Sequence, residues 1–241
     1  MTLKTIHAIF CDLLFPPRCP VCDRVMAPSD RKKGVCAGCR DTLRLIKEPR
    51  CMKCGAQLKE NEEEYCPSCR GRKHYFERGL ALYEYASVRN SVYRLKYSGR
   101  VEYTGFFGRE MARRLGPALR EWGAEALIPV PLHSLRQRRR GYNQAAAIAR
   151  ACGRALDLPV REDLIRRAKN TRPMKLLNAK ERQINLKNAF IMLQDVVKLN
   201  TVVIVDDIYT TGATIDAMAR LLKASGVQKV YFVTLAIGSG V

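Results

Sequence analysis

This chain is poor in several features that would point to membrane, secreted or histidine-based chemistry. No apolar run approaches the ~20 residues needed to span a bilayer, so a membrane span is not expected. The start, MTLKTIHAIFCDLLFPP, is the one stretch to check as a leader. Asp12 interrupts its apolar part and no small-residue cleavage site follows. It reads instead as an amphipathic helix that packs on the body, in a cytoplasmic protein. Histidine occurs three times, as His7, His74 and His133, without metal-ligand spacing; His74 follows the last cysteine pair closely enough to be a weak substitute ligand. Cysteine is nearly absent after residue 69, where only Cys152 remains of ten. Acidic residues are scarce, 23 against 43 Lys and Arg, which gives a net charge of +20.

What is present fits a folded chain: 241 residues, 47% hydrophobic and 27% charged. That length holds one ordinary domain plus a small one. The positive charge is not confined to a tail. Residues 1–75 hold 15 basic and 9 acidic side chains, and the rest hold 28 and 14. Residues 133–154 contain six Arg and no acid, and residues 161–190 contain nine basic residues and three acids. Such a field favours polyanions, either nucleic acid or pyrophosphate ligands; the alternative is a solvated basic surface that serves solubility.

Eight of the first nine cysteines form four CxxC pairs: Cys19/Cys22, Cys36/Cys39, Cys51/Cys54 and Cys66/Cys69. Paired thiolates joined by short excursions suit tetrahedral Zn²⁺. A disulfide framework does not fit a chain without a secretory signal, because cytosolic thiols stay reduced. Eight thiolates fill two four-Cys sites, either sequentially (Cys19, Cys22, Cys36, Cys39, then Cys51, Cys54, Cys66, Cys69) or cross-braced. Four-Cys sites leave no position for water, so two structural zincs are expected, and metal binding supplies much of the folding energy of so small a module. Cys11 and Cys152 stand outside the pattern as small buried apolar residues.

Beyond the cysteines the pattern alternates. Strands are expected at 80–86, 126–131, Leu164–Ala168, 201–206 and Lys229–Ala236. Helices are expected at Ser87–Tyr97, about Glu102–Trp122, Asn143–Leu156, Ala179–Leu186 and from Ile215 to about Ala224, with Gly226 as a stop. LHSLRQRRRGYNQ reads as a mobile loop, and so does the basic segment up to about Leu176. The alternation implies an α/β fold with a mostly parallel sheet covered by helices on both faces. The division expected is residues 1–75, an N-terminal helix and Cys-rich module, and residues 76–241, the α/β domain.

Ligands in such sheets sit at the carboxyl ends of strands. There the run TVVIVDDIYTTGAT at 201–214 places two acids, a Thr- and Gly-rich turn and a helix start. The turn's N–H groups and the helix dipole attract a phosphate, and Asp206 and Asp207 can hold ribose hydroxyls and, directly or through water, Mg²⁺. DDIYTTGAT resembles the phosphoribosyl pyrophosphate (PRPP) signature of type I phosphoribosyltransferases. The resemblance implies that Asp206 and Asp207 contact the ribose 2′- and 3′-hydroxyls, and that Thr210, Thr211, Gly212, Ala213 and Thr214 wrap the 5′-phosphate. Hypoxanthine-guanine enzymes carry an Asp at the position matching Thr210, which argues against a purine enzyme of that type; Thr is closer to the orotate branch.

The ordered set of a Cys cluster, LKYSGR at 95–100, a VPxxxxxxxxRGYNQ stretch, a basic region ending NLKNAF and DDIYTTGAT resembles the ComF family over nearly the whole chain. That family joins a double zinc ribbon to a phosphoribosyltransferase domain. The resemblance makes Lys96, Tyr97, Ser98, Gly99 and Arg100 the pyrophosphate loop. It makes Arg136–Asn143, with Arg138, Arg139, Arg140, Gly141, Tyr142 and Asn143, a flexible lid. Physically, Lys96 and Arg100 bracket a Ser-Gly turn that can meet a pyrophosphate, or form a basic helix end. Arg138–Arg140 either reach a phosphate when the lid shuts or lie along a DNA backbone; Tyr142 either stacks on a base or packs under the lid.

Three functions follow from the resemblance and the charge: a competence-type protein that handles transforming single-stranded DNA, directly or beside a helicase; a phosphoribosyltransferase; or a PRPP or nucleotide sensor that does not catalyse. Catalysis in this fold is positioning and charge stabilisation, so no single nucleophile is expected.

Overall fold

A computed structural model describes residues 14–59, 64–168, 189–193 and 198–238. The expected N-terminal helix with His7 and Cys11, the basic loop up to about Leu176 and the helix at Ala179–Leu186 lie, in whole or in large part, outside the described residues.

Two one-turn helices, α1 (Pro28–Arg31) and α2 (Ala37–Arg40), belong to the Cys-rich part. Then follow β1 (Gly79–Glu84), α3 (Tyr85–Tyr97), α4 (Tyr103–Glu121), β2 (Ala126–Pro129), α5 (Ser134–Arg140), α6 (Gln144–Leu156), β3 (Ile165–Arg167), β4 (Phe190–Met192), β5 (Thr201–Tyr209), α7 (Ala213–Ala224) and β6 (Lys229–Ile237). Four strands form a parallel sheet in the order β1-β6-β5-β2, and β3 and β4 form an antiparallel pair beside it.

Strand alternation sorts the core into two halves. Val203 and Val205 of β5, with Val233 and Leu235 of β6, point to the side covered by α3, α4 and α6. Val202 and Ile204, with Val230 and Phe232, point to the side covered by α7 and the β3–β4 pair. Helix α4 lies close to α6 because Gly108 has no side chain: a Cβ there would sit 2.4 Å from that of Ala151. Cys152 is fully buried on α6, as expected of a small apolar residue, and burial pushes its thiol up to about 12.

Both edges of the sheet are covered, which removes the exposed ladder that invites foreign strands. At β2, Leu127 pairs with Val160. At β1, the chain between the second and third cysteine pairs runs antiparallel: Ile46 N–H donates to Leu82 O at 3.1 Å and Glu84 N–H to Arg44 O at 2.9 Å. This crossing carries the Cys-rich chain from one side of the sheet to the other. Cys19 and Cys39 are buried with the α3–α4–α6 side, whereas Cys51, Cys54, Cys66 and Cys69 are buried with the α7 side.

Two elements depart from expectation. The Arg-rich segment after Pro131 is helical over Ser134–Arg140, not a loop. The His133 ring accepts from Leu135 N–H at its start, and Gly141 closes it in the left-handed conformation at φ 83°. Between them there is no helix breaker to prevent it. Strand β4 was not anticipated, since three residues carry no readable period.

Candidate functional site

The metal ligands group sequentially. The ligand atoms of Cys19, Cys22, Cys36 and Cys39 lie within 4.8 Å of one another, and so do those of Cys51, Cys54, Cys66 and Cys69. Cys22 Sγ is 3.8 Å from Cys36 Sγ, and Cys54 Sγ is 3.7 Å from Cys66 Sγ. A tetrahedron with Zn–S arms of about 2.3 Å has edges of about 3.8 Å. The sulfur sets therefore fit Zn²⁺ and are far too open for disulfides. This excludes the cross-braced alternative. His74 is engaged elsewhere: its Nδ1 is 2.6 Å from Asp216 Oδ2.

The acid pair is held by β5 and left open by β2. Asp206 is in register with Thr234 of β6, while β2 ends at Pro129 opposite Val205. The strand runs two residues further than its acid pair, to Tyr209, and both acids lie past the end of β2. Neighbouring positions point to opposite sides of the sheet. Asp207 meets Lys96, at the end of α3, with Nζ 2.8 Å from Oδ2. Asp206 lies in the field of Lys96 and Arg167, and Arg140 lies in that of Asp207.

This arrangement sets the charges. Burial, then the Asp207 carboxylate, pushes Asp206 up to about 7 against the pull of Lys96. Burial works against the Lys96 ammonium, but Asp207 outweighs it and holds Lys96 above its ordinary value. Burial lowers both Arg140 and Arg167, which stack over the rings of Tyr97 and Phe190. Two carboxylates framed by three cations form a site for a ligand with hydroxyls and anionic groups, and the carboxylates supply the oxygen donors a hard divalent cation needs.

The turn Thr210–Gly212 leads from β5 into α7. Gly212 has φ 74° and a Cβ there would meet the Tyr209 hydroxyl at 2.4 Å, so only glycine fits. No side chain caps the N-terminus of α7, and Thr210 and Thr211 are exposed. Gly212 thus brings no side chain of its own to the first-turn N–H groups of this twelve-residue helix, the kind of helix end at which anions are bound in general.

The other candidate loop turns at Gly99, with φ 67°. Lys96 reaches the acid pair, but Arg100 is engaged by Asp23, Nε to Oδ1 at 3.2 Å. The segment read as a lid is tied back to α3: the Tyr142 hydroxyl and Gln144 Nε2 both donate to Leu95 O, and Asn143 Nδ2 donates to Val130 O. Tyr142 therefore packs beneath the segment. Arg138 and Arg139 are exposed. The reading of the sequence missed Asp23, Arg167 and Asp216. Asp23 left a signal, since its φ of 65° directly after a CxxC pair is a position that favours Gly, Asn or Asp.

Known families match both parts. Residues 10–70 match the double zinc ribbon domain and residues 107–239 the phosphoribosyl transferase domain. The chain is 32% identical over 209 residues to "Competence protein F" of Haemophilus influenzae, covering 83% of this chain and 88% of the relative. The chain belongs to the ComF family. Among other relatives, "DNA utilization protein YhgH" of Escherichia coli K12 is 30% identical over 201 residues, covering 82% and 87%. "Competence protein ComFC" of Streptococcus pneumoniae is 25% identical over 200 residues, covering 81% and 84%. Membership of the family brings the two structural zincs with it, which the two sulfur tetrahedra fit. Among the described residues, no helix is long and apolar enough to cross a membrane.

Proposed function

We propose that this protein binds PRPP or a ribose 5-phosphate with Mg²⁺ at Asp206–Thr214, and that it takes part in competence-type handling of transforming single-stranded DNA in the cytoplasm. One observation carries the ligand reading: an acid pair past the end of β2, set against Lys96 and followed directly by the uncapped N-terminus of α7. Asp206 and Asp207 accept from the ribose hydroxyls, the N–H groups of Thr210–Thr214 hold the 5′-phosphate, and Lys96 with the Tyr97–Arg100 turn faces the pyrophosphate. Asp206 and Asp207 would hold Mg²⁺, directly or through water, and the ion would supply neutralisation of pyrophosphate charge. Arg138–Arg140, Gly141, Tyr142 and Asn143 belong to a segment that serves either as a lid over the site or as a contact for a DNA backbone. The chain works as two parts, residues 1–75 and 76–241.

The DNA reading is supported by the relatives' names, which speak of competence and DNA utilization, and by the +20 charge. A second reading, phosphoribosyl transfer to an acceptor, is favoured by the cations around Asp206 and Asp207, which would stabilise a departing pyrophosphate. Titration calorimetry with PRPP and Mg²⁺ tests binding; absence of binding rejects the ligand reading. Pyrophosphate release across nucleobases, or its absence, then separates a transferase from a sensor.

A further inference from the structure

The two ribbons sit on opposite sides of the sheet, and each leads to contacts in or directly beside one of the two loops that flank the acid pair. On the α3–α4–α6 side, Asp23 follows the first CxxC pair. Its carboxylate accepts from the Tyr103 hydroxyl and from Arg100 Nη2, and lies 3.9 Å from Arg94 Nε. Arg94 Nη1 also donates to Val21 O, inside that CxxC pair, at 2.8 Å. Arg94, Arg100 and Tyr103 bracket the turn Tyr97–Arg100, so the first ribbon grips that turn from both ends.

On the α7 side, His74 follows the last CxxC pair by five residues. Its Nδ1 is 2.6 Å from Asp216 Oδ2, and Tyr75 N–H donates to Asp216 Oδ1 at 2.9 Å. Asp216 stands in the first turn of α7, and its own N–H donates to Gly212 O. Phe76 stacks on His74 and meets Tyr209 and Phe232 edge-on, and Tyr209 underlies Gly212. The second ribbon thus holds the Thr210–Thr214 turn and its helix.

We infer that the double zinc ribbon is a clamp that positions the two phosphate-binding loops, the first ribbon through Asp23 acting on Tyr97–Arg100 and the second through His74 and Asp216 acting on Thr210–Thr214. The inference rests on the phosphoribosyl reading above. Asp23, Tyr103, His74 and Asp216 are positioning residues that act through the loops and do not touch the ligand.

Charge alone predicts the opposite sign. Neutralising Asp23 or Asp216 removes a negative charge beside an anion site and would tighten binding. Loss of position weakens it, and each ribbon weakens a different part of the ligand. The test is calorimetry with three probes in the presence of Mg²⁺: PRPP, inorganic pyrophosphate and ribose 5-phosphate. Asp23→Asn and the isosteric Tyr103→Phe are expected to weaken PRPP and pyrophosphate by about tenfold, the scale of one lost hydrogen bond, and to leave ribose 5-phosphate unchanged. Asp216→Asn and His74→Gln are expected to weaken PRPP and ribose 5-phosphate and to leave pyrophosphate unchanged. Zinc content is measured alongside and should stay at two per chain. Should Asp23→Asn misfold, Tyr103→Phe, which removes one hydroxyl, still decides for the first ribbon. Unchanged or tighter binding, or equal loss for all three probes, overturns the clamp and leaves the phosphoribosyl reading standing. Wild-type protein that binds none of the three overturns both.

Discussion

Asp206 and Asp207 are neighbours in sequence with different electrostatic surroundings. Asp207 is neutralised by Lys96 at 2.8 Å, whereas Asp206 is pushed up to about 7 by burial and by Asp207. The folded-state value of Asp206 thus lies above the ordinary carboxylate value near 3.9. Ionising it costs the folded state nothing below about pH 4, and the penalty grows as pH rises through about 7. Asp206→Asn should therefore raise the melting temperature at pH 8 and leave it unchanged near pH 4; equal melting shifts at both pH values would contradict the assignment. Ligand binding runs the other way. Mg²⁺ and ribose hydroxyls need the ionised pair, so PRPP affinity should fall as pH drops from 8 to 6, with uptake of protons measured by calorimetry in two buffers. Asp207→Ala leaves the Lys96 ammonium without its counter-ion. It should abolish Mg²⁺-dependent binding and cost about 1–3 kcal/mol of stability in denaturant titration.

At the scale of elements, the packing predicts where the fold breaks. Gly108→Val forces a side chain against Ala151 and the backbone of Ile148 and Cys152, where a Cβ would sit 2.4, 2.8 and 2.9 Å away. Helices α4 and α6 must separate, and thermal melting should show a loss of about 1–3 kcal/mol or more. Phe76→Ala should cost about 3–5 kcal/mol, because the ring is buried against Phe232 and Tyr209. The elements that carry the site were legible because their signals are local. Strand β5, its acids and α7 show as an apolar run, a turn and a helical period, and α3, α4 and α6 show the same period. Helix α5 was hidden, since SLRQRRR has no apolar face to reveal it. The placement of the ribbons was hidden for another reason. Arg44–Ile46 pair with β1, and Asp216 meets His74 across 142 residues; such long-range contacts leave no period in the sequence.

At the scale of the molecule, the clamp and the charge bear on different partners. The ribbons grip the sheet from both sides, so the acid site is framed from within. Arg140 is drawn toward the site by Gln144 and Tyr97, but Arg138 and Arg139 stand exposed on the same helix. These two arginines separate a DNA role from a lid role. If they lie on a nucleic-acid backbone, each neutralised phosphate releases counterions, and the logarithm of affinity for a short single strand falls linearly with the logarithm of salt. Replacing both Arg138 and Arg139 with Ala should then flatten that slope by about 1.4, at about 0.7 per contact on a single strand. Sequence preference should be slight at any salt and PRPP affinity should be unchanged. If they close over the pyrophosphate instead, PRPP affinity falls and the salt slope holds. Filter binding of labelled oligonucleotides between 50 and ~200 mM salt, run beside PRPP calorimetry on the same variant, reads both outcomes. Wild-type protein that fails to bind single strands at the low-salt end rejects direct contact. The route from this family to DNA then passes through a second protein.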